Sequence, residues 1–499
     1  MKTRAWNGTR SAACAGLMIV GMSAVVACGD DEGAATTSGS GGQAGATTAT
    51  GAGGEDASSS TGAGGGASET TALPFGSGTR LRAVVHDFGG GALLRVGVHD
   101  AELEARCTFS VAADGQLRCL PEGSTVYFAD GSCTEPVLVE QPCFPSEYGI
   151  FAAPSDDACI PWMTTTYRKT SARSGVSELF ESLDGQCVSL GVPTGDVFDA
   201  EEVAPETFVA VEETTEVLTA DLGRHILLAD DGAYVASGAR DEARDAACNA
   251  LWFGGSRACI PTNVAYETPG RSFADASCEV PAAATYGCAS APSAVLRLEP
   301  AECETQATLL EIGEKLERGY DTNSGSCAES TEANYFRVGP ALSTDDYPQL
   351  DVVELGSGRV RLEGVGAAGI WVDPLAQPFD SELGPCSATI AFGSLRCVPG
   401  DTVVQTPNLF SDEACTAPLL LWSDDGCSTL PAFVAEYASD DGCGAGLGAV
   451  YRVGGAYEGL VYADFDGGCE PTADPGEPLY LYGEAMAAED FAPVTERVE

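Results

Sequence analysis

The chain opens with a short apolar run and then gives up large hydrophobic side chains almost completely. Residues 1–10 are polar and basic, residues 12–27 are mostly apolar, and residues 29–77 are mainly Gly, Ala, Ser and Thr. From about residue 78 the pattern changes. Short segments with alternating or near-continuous apolar positions recur, each bounded by Gly, Asp or Pro. That spacing predicts β-strands joined by turns. Arg80–His86, Leu93–His99, Val137–Glu140, Thr164–Lys169 and Phe208–Val211 read as strands, whereas a helical pattern is confined to stretches such as Cys303–Arg318. The expected fold class is all-β.

The strand-rich region is a triplication, and its cysteines mark the copies. The first cysteines of the unit are Cys107, Cys248 and Cys386, followed by Cys119, Cys259 and Cys397, each of which begins Cys-(Leu/Ile/Val)-Pro. A Phe-(Ala/Ser)-Asp-x-(Ser/Ala)-Cys-x-x-Pro phrase then runs from Phe128, Phe273 and Phe410 and supplies the third cysteines, Cys133, Cys278 and Cys415. The fourth are Cys143, Cys288 and Cys427, the fifth Cys159, Cys303 and Cys443, and the sixth Cys187, Cys327 and Cys469. With Cys14 and Cys28 these account for all 20 cysteines of the 499-residue chain. The organisation expected is a signal over 1–27, a tether over 28–77, and repeats over 78–212, 213–348 and 349–499. About eight strands per copy suit two four-stranded blades, hence a six-bladed β-propeller, since radial packing protects strand edges. Three tandem β-sandwich or barrel modules are the alternative.

So many cysteines raise the question of metal or disulfide. There is no Cys-x-x-Cys pair and there are only three histidines, His86, His99 and His225, so an oxidised framework fits better than zinc. Turn residues near the midpoint between the first and second cysteines (Asp114-Gly115, Gly254-Gly255, Gly393) signal a hairpin, which brings the two within disulfide reach. First-to-second bridges are therefore expected in every copy. The same local logic suggests third-to-fourth and fifth-to-sixth pairing.

The N-terminal run ends in Val25-Val26-Ala27-Cys28. Small or apolar residues before a cysteine have the form of a bacterial lipobox, which makes Cys28 the expected lipid attachment and removes Cys14 with the signal. The segment that follows cannot bury enough surface to offset its ordering entropy and reads as a disordered tether. Acidic residues outnumber basic ones by 74 to 25, for a formal charge of −49. Such a body repels phosphate, so nucleic acid is not an expected partner.

The Cys-(Leu/Ile/Val)-Pro and Phe-x-Asp-x-x-Cys-x-x-Pro phrases, behind a lipobox and a Gly/Ala/Ser tether, resemble a group of cysteine-rich secreted lipoproteins of myxobacteria and related bacteria. The resemblance covers residues from about 78 onward and implies a cell-envelope location, periplasmic or on the outer surface. It carries no activity, catalytic residue or cofactor.

The residues themselves offer little chemistry. There is no Gly-x-Ser-x-Gly elbow, and the histidines fall outside the repeated phrases, as solvent-facing strand residues would; a zinc site is the alternative. Asp130, Asp275 and Asp412 recur in all copies, which suits a turn cap or, alternatively, a calcium or ligand contact. Asp464-Phe465-Asp466-Gly467 resembles the start of a calcium loop but lacks its distal Glu, so a hairpin turn is expected. No metal, cofactor or catalytic set is assigned. The expected function is a membrane-anchored binding or adhesion module for a glycan or protein. An envelope hydrolase of sugars or peptides and a purely structural envelope protein are the alternatives; a hydrolase would show one copy departing from the others at a cleft-lining polar cluster.

Overall fold

The computed structural model describes residues 73–499, apart from 141–144, 155–161, 184, 254–255, 286–291, 302–303, 323–325, 331–332, 368–369, 373–375, 406, 424–426, 428, 439–445, 466–467 and 474. The signal, Cys14, Cys28 and most of the tether lie outside the described residues, as do Cys143, Cys159, Cys288, Cys303 and Cys443. Every described residue belongs to one compact unit.

Among the described residues there are strands and three short 3-10 turns but no α-helix. The fold is all-β. Each copy begins with a four-stranded antiparallel meander. In copy one it comprises Leu81–Asp87, Leu93–Asp100, Ala105–Val111 and Leu117–Pro121. Copy two repeats it with Leu222–Ala229, Tyr234–Asp241, Ala246–Phe253 and Ser256–Pro261. Copy three does so with Val360–Ala367, Gln377–Asp380, Gly384–Ala391 and Ser394–Pro399.

The second half of each copy is a curled sheet. Its signature is one parallel pairing present in all three, Ser124 with Gly149, Val264 with Ala294 and Val403 with Val434. In copy two the strands close into a barrel, and alanines fill its tight places. Ala265 and Ala283 pack inside against Val295, Leu310 and Phe336, as a narrow barrel requires. The sheets thus do not divide into six similar four-stranded blades. Each copy contributes one meander and one barrel-like sheet.

Counted from its first meander strand (Leu81, Leu222 and Val360) rather than from residues 213 and 349, each copy ends in a strand that pairs with the next copy. After its 3-10 turn (Pro205–Thr207), copy one ends in Val211–Val217, which pairs with the first meander strand of copy two. Copy two ends in Gln349–Leu355, which pairs with Val360–Ala367 of copy three. Copy three ends in Thr495–Val498, which returns to pair with Leu81–Asp87 of copy one. The exchange is a closed cycle. A buried apolar cluster sits at each seam: Leu81, Val211 and Ala229 at the first, Leu222, Leu350 and Val365 at the second, Phe88, Val360 and Val494 at the third. Each includes the two hairpin cysteines of its copy.

Two expectations fail. The stretch with helical character is a long strand, Glu304–Lys315. Leu309 and Leu310 face opposite ways and are both buried, paired with Leu296 and Val295, so burial on two faces overrides the helix propensity of Glu, Lys and Leu. Phe208–Val211 is not a strand either. Phe208 closes the 3-10 turn with its N–H on the Pro205 carbonyl, and the strand starts at Val211.

Candidate functional site

The Phe-x-Asp phrase builds the same turn three times. The Asp130 carboxylate accepts the backbone N–H groups of Thr134 at 2.8 Å and Glu135 at 2.7 Å, together with the Ser132 and Thr134 hydroxyls. Asp275 takes Glu279 N–H at 3.1 Å, Val280 N–H at 2.7 Å and the Ser277 hydroxyl. Asp412 takes Thr416 N–H at 2.9 Å, Ala417 N–H at 2.8 Å and the Thr416 hydroxyl. Hydroxyl donation above all, from Ser132, Ser277 and Thr416 respectively, with the backbone N–H groups, holds each carboxyl below its ordinary range. These aspartates cap turns, as expected. The turn in turn forces its cysteine into the left-handed region, with φ of 53°, 54° and 51° at Cys133, Cys278 and Cys415.

That geometry decides the disulfides. The hairpin bridges form as predicted, Cys107–Cys119, Cys248–Cys259 and Cys386–Cys397, with Cα atoms 5.3, 5.2 and 5.3 Å apart. The third cysteine, however, pairs with the sixth and not the fourth: Cys133–Cys187, Cys278–Cys327 and Cys415–Cys469. The two segments are brought together by strand pairing at an aromatic position. The phrase's Phe128, Phe273 and Phe410 lie opposite Phe180, Tyr320 and Tyr462, each on the hairpin that carries the sixth cysteine. Fifth-to-sixth pairing is excluded by the same bridges. Cys427, the remaining described cysteine, is exposed.

A second device also recurs in each copy. Asp100, Asp241 and Asp380 end the second meander strand of their copies, and all three are fully buried. Arg80 forks onto Asp100 at 2.8 and 2.7 Å and donates to the Thr207 carbonyl at 3.0 Å. Arg359 bonds Asp380 at 2.9 Å and the Asp490 carbonyl at 2.6 Å. Copy two has Asp221 in place of the first arginine, and Arg244 reaches Asp241 from the following turn at 2.7 Å and the Asp346 carbonyl at 2.8 Å. Each clamp ties the head of a meander to the 3-10 turn that precedes the exchanged strand. The signal that would have found it is the recurring acidic-x-aromatic turn, Glu206-Thr207-Phe208, Asp345-Asp346-Tyr347 and Glu489-Asp490-Phe491, whose aromatic side chain is buried each time.

Two of the three histidines sit at seams. His86 and His99 share one strand pair, but both are half-buried, not solvent-facing. His86 Nε2 lies 3.3 Å from Glu496 on the returning C-terminal strand, and Arg106 binds the same carboxylate at 2.5 Å. Arg106 chiefly, with help from His86, holds Glu496 below the usual carboxylate range. His225 Nδ1 lies 3.1 Å from Glu213 at the first seam and lowers that carboxyl likewise. Among the described residues no three His, Cys, Asp or Glu side chains are grouped to hold a metal. Asp464 faces Cys469 in a two-stranded hairpin, while Asp466 and Gly467 lie outside the described residues.

Two places break the threefold pattern with polar chemistry. Copy three carries Glu436 beside Tyr451 and Tyr482, whose rings are 5.2 Å apart. Burial raises the Glu436 and Tyr482 pKa values, and the Tyr482 hydroxyl is buried without a hydrogen-bond partner. The strand positions matching Glu436 hold Phe151 and Leu296. The other place is a narrow apolar crevice where Phe75, Leu93, Leu355, Leu362 and Trp371 surround Arg95.

With the repeat geometry established, one family model covers residues 61–491. The chain belongs to DUF7481, a family of unknown function. The DUF7481 span includes all eighteen repeat cysteines, the three capped turns and all three aspartate clamps. It stops short of the returning strand Thr495–Val498. No curated protein and no solved structure matches the chain.

Proposed function

We propose that this protein is a cell-envelope lipoprotein, acylated at Cys28, that presents its disulfide-braced body as a binding module for an extracellular glycan or protein. The lipobox Val25-Val26-Ala27-Cys28 and the tether behind it support the anchor. The bridged cysteines support an oxidising compartment, and the repeated phrases support kinship with the cysteine-rich lipoproteins of myxobacteria and related bacteria.

The observation that carries the binding reading is a constant frame holding unlike surfaces. The sixth-cysteine strand of copy one, Gln186–Gly191, is a sheet edge. Its Val188 and Leu190 are exposed, and Val192 just beyond it is 75% exposed. The matching positions are Ala328 and Ser330 in copy two and Glu470 and Thr472 in copy three. An apolar edge strand whose own six residues, Gln186–Gly191, carry no charge and no proline is what an extended partner segment pairs with. Glycan and protein arrays probed with the purified body test this, with Val188→Glu/Leu190→Glu expected to remove the protein signal. Arrays blank for both classes refute the binding reading. For the anchor, Cys28→Ala is expected to move the protein from the membrane fraction to the soluble one; an unchanged membrane fraction refutes it.

An envelope hydrolase is the second reading, favoured by the copy-specific Glu436–Tyr451–Tyr482 cluster, where a carboxyl with a raised pKa is the type of group that donates protons. Turnover of an envelope sugar or peptide that disappears in Glu436→Gln would establish it.

A further inference from the structure

The sixth-cysteine hairpin differs between copies in how its outer strand is guarded. In copy two that strand is only Ala328–Ser330, and its Glu329 pairs with Arg318 at 3.3 Å. In copy three it is Gly468–Thr472, and Glu470 and Pro471 stand on it. Short length, charge and proline are the usual guards of a sheet edge. Copy one has none of them within Gln186–Gly191, which is six residues long and ends its sheet.

The copy-one edge presents two unlike faces. Alternate residues of a strand face one side, so Val188 and Leu190 share a face with Glu181 and Leu183 of the neighbouring strand Leu179–Leu183, which lie opposite Val188 and Gln186. Leu183, Val188 and Leu190 are exposed. Cys187 and Ser189 take the other face, where Cys187 is bridged to Cys133 and the Ser189 hydroxyl donates to the Glu178 carboxylate. One face is mainly apolar, and the other is polar and acidic. Residues 174–195 contain Glu178, Glu181 and Asp184 but no lysine, arginine or histidine. Among the described residues neither Glu178 nor Glu181 has an ion-pair partner.

We propose that Gln186–Gly191 is the docking edge for an extended cationic segment of a partner protein, in which lysine or arginine alternates with apolar residues. Added beside the edge as a further strand, such a segment lays its apolar side chains along Val188 and Leu190 and its cations along Ser189 and Glu178. The uncompensated carboxylates and a formal charge of −49 favour its approach over that of a neutral or acidic strand. A second copy of this chain is a poorer occupant, because it would set the same carboxylates against each other. The proposal rests on the binding reading and gives it a partner chemistry.

The test is calorimetry on the full chain with capped octapeptides of alternating residues: lysine with valine, glutamate with valine, and a fully N-methylated lysine–valine form that cannot donate to the edge. One-to-one binding of the lysine–valine peptide is expected, with the other two about tenfold weaker and the affinity falling as salt rises. Val188→Ser/Leu190→Ser should weaken it by about as much, and Glu178→Gln/Glu181→Gln should lose most of the preference for lysine over glutamate. These side chains lie at the surface, so both variants are expected to melt with the parent. No binding of the lysine–valine peptide, or equal binding of its N-methylated form, overturns the docking edge. Equal binding of the lysine and glutamate peptides overturns the cationic partner. So does a dimer in analytical ultracentrifugation that Val188→Ser/Leu190→Ser dissociates, since the edge would then be a self-interface. Blank peptide titrations beside a positive array would overturn this partner and leave the binding reading standing, so the two fail separately.

Discussion

The buried aspartates show how much a single side chain can hold in this fold. Asp100 is fully buried, and its partner Arg80 also secures the 3-10 turn. Asp100→Ala leaves that guanidinium only the exposed Glu102 as an ion-pair partner, and denaturant titration is expected to show a loss of about 3–5 kcal/mol, the usual cost of breaking a buried pair. Glu102 also pairs with Arg80, at 3.0 Å, but its side chain is 69% exposed. Glu102→Ala should cost at most about 1 kcal/mol; a comparable loss from both would mean that burial is not what matters. Glu496 gives a pH dependence of defined sign. Its carboxyl is held down by Arg106 and His86 in the folded state, so its contribution is present above the ordinary carboxylate range and disappears as pH falls through the folded value. Amide protection factors in Thr495–Val498 and Leu81–Asp87 should therefore fall in acid, and Glu496→Gln should flatten that response.

At the level of elements, the two disulfide classes do different work. The hairpin bridges close loops of 12, 11 and 11 residues, and the third-to-sixth bridges close 54, 49 and 54. In the loop-entropy model these contribute about 3 and about 4 kcal/mol each. Peptide mapping of non-reduced protein should recover Cys133 with Cys187, and Cys133→Ser/Cys187→Ser should destabilise copy one by about 4 kcal/mol. The hairpin bridges were legible because both partners flank one turn. The longer ones were not, because their partners meet through Phe128 opposite Phe180 and its two counterparts, contacts that spacing does not register. The strand Glu304–Lys315 was misread for a related reason: its neighbours on both faces, and not its own residues, set its conformation.

For the molecule as a whole, the cycle of exchanged strands is the main constraint. Each copy is completed by the one before it, and Thr495–Val498 completes the first. Ser77 Oγ donates to the Glu499 carbonyl at 2.9 Å, so the two ends of the body meet at this seam. Deleting residues 495–499 uncovers the edge of Leu81–Asp87 and removes Glu496 from His86 and Arg106. The truncated protein should melt at lower temperature and self-associate through the bare edge, measured by calorimetry and light scattering. A truncated monomer of unchanged stability would mean that the cycle does not depend on its last strand.

The order of residues alone determined what depends on near neighbours: strand-forming alternation, the Asp-capped turns, the hairpin cysteines and the triplication itself. Each of these is settled by side chains within about a dozen positions of one another. Tertiary structure decided the third-to-sixth bridges, the reach of each aspartate clamp to its 3-10 turn and the return of Thr495–Val498 to the first copy. These pair residues tens to hundreds of positions apart, where burial on a second face and the partner offered by another copy outweigh local preference.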